Sequence, residues 1–75
     1  MATIILDSWR EGLEKISLTR LQVDMLGKSL RASKMNVDAL LDDKKVTIEI
    51  DDIDLANEFL KAAEEIGVNC KLLID

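Results

Sequence analysis

Residues 15–38, KISLTRLQVDMLGKSLRASKMNVD, decide the fold. Leu18, Leu21 and Met25 recur at helical spacing before Gly27, and Leu30, Val37, Leu40 and Leu41 share one side after it, so the stretch reads as two amphipathic helices. Ile16 stands just ahead of the first helix, which Ser17 or Thr19 would cap. Gly27 supplies the left-handed residue that ends it, and Ser29 caps the second helix, leaving Gly27, Lys28 and Ser29 as a hinge. Arg31, Lys34 and Asp38 fall away from the apolar side.

Upstream, ATIIL at 2–6 is β-branched and apolar and predicts a short strand, with Ile4 and Leu6 on one face and Ile5 on the other. Asp7, Ser8 and Gly12 break that pattern, so DSWREGLEK is read as a loop or short turn with the Trp9 ring over an edge of the core. Downstream, Asp42 to Lys45 form a polar turn, and KVTIEI at 45–50 alternates strictly, with Val46, Ile48 and Ile50 inward. Asp51 or Asp52 caps a third helix striped by Leu55, Phe59, Ala62, Ala63 and Ile66, and Gly67 stops it. VNCKLLID at 68–75 is the last strand. The expected fold is α+β, in the order β-α-α-β-α-β: one domain over 1–75, a three-stranded antiparallel sheet with three helices on one face.

Several function classes drop out. The chain has no His and no Tyr, which removes the commonest general base and the commonest transition-metal ligand. Gly27-Lys28-Ser29 looks like the end of a phosphate loop, but Gln22 stands where that motif needs its first Gly. Asp51, Asp52 and Asp54 lack the Gly and distant Glu of a calcium loop and serve better as helix caps. Cys70 faces inward on a strand with no His to activate it. No catalytic residue, cofactor or metal is expected, and the reading is non-enzymatic. No apolar run approaches the ~20 residues of a membrane span. The Ile4-Ile5-Leu6 run is too short for a signal peptide, and the single cysteine points to a reducing cytoplasm. In so small a chain self-association would add stability, so a homodimer is compatible.

Charge is unevenly placed. Lys15, Arg20, Lys28, Arg31 and Lys34 face only Asp24 within residues 15–34, a local charge of +4 in a chain whose net charge is −5. The acidic total, and a basic patch without Tyr or Phe, argue against nucleic acid.

The run from Lys15 to Val37, with Gly27, Ser29 and then Leu30-Arg31-Ala32-Ser33-Lys34, resembles the C-terminal domain of the bacterial ribosomal stalk protein, Gly27 and Ser29 taking its two hinge glycine positions. AAEEIGVNCKL at 62–72 is similar to that family's last helix and strand. The resemblance implies a fold shared with the Clp protease adaptor. It also implies a surface of first helix, hinge and second-helix start that meets an acidic protein, in that family a translation GTPase. By position, the implied partner-binding residues are Lys15, Ile16, Leu18, Arg20, Gly27, Lys28, Arg31 and Lys34. Ser17, Thr19, Val23 and Lys28 depart from the family's residue types. A peptide binder of the adaptor kind and a small oligomeric component are the competing expectations.

Overall fold

The computed structural model describes residues 2–74, so Asp75, read above as the end of the last strand, lies outside the described residues. Strand β1 (Ala2–Trp9) is central and pairs antiparallel with both β2 (Val46–Ile50) and β3 (Val68–Ile74). Between the strands come α1 (Lys15–Leu26), α2 (Leu30–Leu41) and α3 (Ile53–Glu65), in the expected order.

Alternation makes each strand two-faced. Ala2, Ile4 and Leu6, with Val46, Ile48 and Ile50, turn toward the helices and are buried, whereas Thr47, Glu49, Asn69, Lys71 and Leu73 are exposed on the other side. The helices cover the first face in two tiers. α2 lies against β1 and β2, α3 against β1 and β3, and α1 packs on α2 and α3. Phe59, Leu18, Leu40 and Ala63 meet the sheet's aliphatic residues in one core, with Phe59 the largest fully buried side chain.

The structure departs from the sequence reading at two boundaries and in one buried face. β1 continues through Asp7 and Ser8 to Trp9, because β3 follows it across an irregularity: Leu6 pairs Cys70, while Ser8 pairs Asn69 and Trp9 pairs Val68. Asp7 is the extra residue at this bulge, and its carboxylate meets Lys45 at 3.3 Å and Lys71 at 3.9 Å. Trp9 ends the strand 39% exposed.

α1 starts two residues before Ser17, at Lys15, and neither Ser17 nor Thr19 caps it. Glu14 holds the cap position without a side-chain bond, and its amide donates instead to the Ile66 carbonyl at 3.1 Å. Thr19 turns its hydroxyl back onto the Lys15 carbonyl at 3.1 Å.

The buried stripe of α2 is centred on Ser33, Val37 and Leu40, which leaves Leu30 at its edge, 56% exposed. The other stops and caps are as expected. Gly27 is left-handed (φ 67°), the Ser29 hydroxyl accepts from the Ala32 amide, and Asp52 accepts from Asp54 and Leu55 amides.

Candidate functional site

The first two helices form a hairpin whose spacing is set by a buried polar contact. Gln22 is fully buried on α1 and donates to the main-chain oxygens of Leu18 (3.3 Å) and, across the gap, Ser33 (3.2 Å). Its own carbonyl accepts from the Asn36 amide at 2.7 Å. Ser33, also fully buried, bonds back to the Ser29 carbonyl at 2.8 Å. Each polar group finds a partner, so the helices are tied at one separation and not merely greased together.

Along one edge of this hairpin runs an open groove. One part, about 250 Å³, is lined by Lys15, Ile16, Thr19, Lys34, Val37, Asp38 and Leu41. The next, about 440 Å³, is lined by Ile16, Thr19, Arg20, Leu30 and Lys34. Ile16, Thr19 and Lys34 belong to both, which makes the two hollows continuous. Two aliphatic side chains stand out into it: Ile16 is 78% exposed and Leu30 56%.

Of the residues singled out from the sequence, Lys15, Ile16, Arg20 and Lys34 come together here. Arg31 is exposed on α2 but lines neither hollow, and Gly27 offers exposed main chain at the hinge. Lys28 turns the other way, to a hollow shared with Leu26, Ile50, Asp51, Asp52 and Leu55. Leu18 must be reassigned. It is fully buried in the core, because α1 packs on two helices at once and this position faces both, so it supports the groove from beneath and offers no contact. Thr19 and Leu30 also line the groove, and neither is among the residues the sequence points to as partner-binding. Position 30 lies only about 20° from Val37 on a helical projection, so spacing alone assigns it to the core side, and its exposure emerges only in the fold.

The electrostatics are one-sided. Among the described residues the ion pairs are Lys44 with Asp42 and Asp7 with Lys45 and Lys71, so Lys15, Arg20, Lys28, Arg31 and Lys34 have no carboxylate partner. Cations without an ion-pair partner thus stand beside exposed aliphatic groups.

Among the described residues no group of three or more His, Cys, Asp or Glu is placed to hold a metal ion, and no helix is long and apolar enough to cross a membrane. Cys70 is half-buried with its thiol 3.6 Å from the Leu60 carbonyl. Burial, and secondarily the Glu64 charge, push that thiol up from 9.0 to about 11 against the opposing pull of Arg10, so at neutral pH it is protonated and a poor nucleophile. Comparison of the chain with protein-family models, curated proteins and solved structures gave no match.

Proposed function

We propose that this chain is a non-enzymatic binding module that docks an acidic protein into the α1–α2 groove. The observation that carries the reading is the placement of Ile16 and Leu30, exposed and aliphatic, among Lys15, Arg20 and Lys34, none of which forms an ion pair among the described residues, with Asp38 the one carboxylate lining the groove. Apolar contacts at the two aliphatic groups supply affinity, and the cations speed and orient the encounter. The resemblance to the stalk-protein C-terminal domain supports a cytoplasmic partner associated with translation. The departures at Ser17, Thr19, Val23 and Lys28 alter the surface such a partner would meet.

The test is capture of partners from native extract by the wild-type chain and by an Arg20→Glu, Arg31→Glu, Lys34→Glu variant, followed by affinity measurements over a range of salt. Reversal weakens binding of the captured partner by about 1–2 kcal/mol or more and flattens its salt dependence. Equal affinity of the two chains at low salt would sink the reading.

A further inference from the structure

The molecule carries on its third helix the kind of surface its groove is suited to receive. The exposed residues of α3 fall within one sector of the helix: Ile53, Asp54, Asn57, Glu58, Lys61, Glu64 and Glu65. Four of these are carboxylates without an ion-pair partner among the described residues, and one, Ile53, is an aliphatic side chain 36% exposed. Asp51 and Asp52 extend the negative charge ahead of the helix, with Asp52 holding the cap. The pattern is the complement of the groove. There, aliphatic Ile16 and Leu30 are flanked by Arg20 and Lys34; on α3, an aliphatic residue is flanked by acids.

We propose that a second copy of this chain occupies the groove, presenting the acidic side of its α3 to Arg20, Lys34 and Lys15 of the first; the inference rests on the docking reading above and names an occupant for it. A single copy cannot satisfy itself this way, because α2 covers the β1–β2 side of the sheet and α3 the β1–β3 side, with α1 packed on both helices. The contact joins two different surfaces. The pair therefore keeps one free groove, on one copy, and one free α3, on the other, so the assembly grows head to tail with concentration. Contacts between exposed charges are screened within about 10 Å at 0.1 M salt, so assembly is favoured by dilute buffer.

Sedimentation equilibrium at about 20 mM and about 0.5 M salt tests this, because the screening length changes several-fold between them. At low salt the weight-average mass of the wild type rises above the 8.4 kDa of one chain as concentration increases, and at high salt it returns to 8.4 kDa. Two variants make the test specific: Arg20→Glu with Lys34→Glu in the groove, and Asp54→Lys with Glu58→Lys on α3. All four positions are exposed, and circular dichroism checks that each variant is folded. Each variant alone stays at 8.4 kDa, and an equimolar mixture recovers the low-salt assembly, since reversed groove and reversed α3 are again complementary. A wild type that remains at 8.4 kDa up to about 1 mM overturns the proposal, as does assembly that survives either double reversal or a mixture that fails to associate. A synthetic amphipathic Glu/Leu peptide, titrated into the wild type with the Arg20→Glu, Lys34→Glu chain as the control that must not bind it, separates the two readings. If it binds while the wild type never self-associates, copies of this chain are not the occupant and the docking reading stands. If it does not bind, the docking reading falls.

Discussion

Gln22 on α1 and Ser33 on α2 face each other across the helix hairpin, with the Gln22 amide on the Ser33 carbonyl at 3.2 Å and both side chains wholly shielded from water. A polar tie of this kind fixes the separation that opens the groove. Replacing Gln22 with the similarly sized Met removes its bonds to Ser33, Leu18 and Asn36, and costs about 1–3 kcal/mol because Asn36 loses its acceptor in a half-buried place. Urea unfolding measures the loss, and a Gln22→Met, Asn36→Ala cycle reports the coupling between the two.

Ile16 and Leu18 stand two positions apart and belong to different worlds. Ile16→Ser with Leu30→Ser leaves the unfolding midpoint nearly unchanged and weakens partner binding about tenfold or more, since both side chains are exposed. Leu18→Ala leaves the groove's chemistry intact and costs about 2–4 kcal/mol of stability through the cavity it opens in the core. Paired denaturation and binding curves separate the two effects.

Two left-handed glycines differ in what surrounds them. A methyl group at Gly27 meets nothing within 4 Å, so Gly27→Ala bears only the conformational cost of φ 67°, about 1 kcal/mol. At Gly67, φ is 106° and the added carbon would sit 3.0 Å from the Leu13 α-carbon. Gly67→Ala is therefore the more destabilising of the two, and thermal melts of both variants give the order directly.

Arg10 ties the end of β1 to the end of α3. Its guanidinium donates to the carbonyls of Glu64 and Val68 and to the Asn69 side chain, while its own amide donates to the Gly67 carbonyl at 2.8 Å. A cation at the C-terminal end of a helix also meets the negative end of its dipole. Arg10→Ala lowers stability by about 1 kcal/mol, and Arg10→Lys does not restore it, because an ammonium cannot span three acceptors in a fixed fork. Thermal unfolding of both variants checks this.

Cys70 links stability to alkaline pH. Its thiol is raised from 9.0 to about 11 by burial, so the folded chain holds a proton that the unfolded chain releases first. The stabilisation is complete below pH 9.0 and is lost as pH rises toward about 11. Wild type loses more stability than Cys70→Ala over that interval, and alkylation of Cys70 at pH 8 is slower than that of a free thiol.

Some of this was legible in the residues and some was not, for physical reasons. KVTIEI alternates and became β2 almost to the residue, and Gly27, Ser29 and Asp52 act where their local chemistry puts them. These features depend on neighbours within a few positions. The extension of β1 to Trp9 depends on Val68 and Asn69, far along the chain, and a polar Asp7-Ser8 pair gives no hint of it. Gln22 and Ser33 are polar, and nothing local to either marks it for burial; only their mutual satisfaction lets them be buried. The site divided in the same way. The cations and the hinge could be found by composition and spacing, but whether Ile16, Leu18 or Leu30 faces outward was decided by how α1 lies over α2 and α3.

The central position of β1 also has a consequence in time. Its partners arrive late: Leu6 waits for Val46, and Ala2 for Ile50 on one side and Ile74 on the other. The α1–α2 hairpin can form from local contacts as soon as it is synthesised, whereas closing the sheet must await distant segments and is the slower step. Until then Ile4, Ile5 and Leu6 have two unpaired backbone edges, and this apolar run is where a nascent or refolding chain is most exposed to pairing with the wrong neighbour.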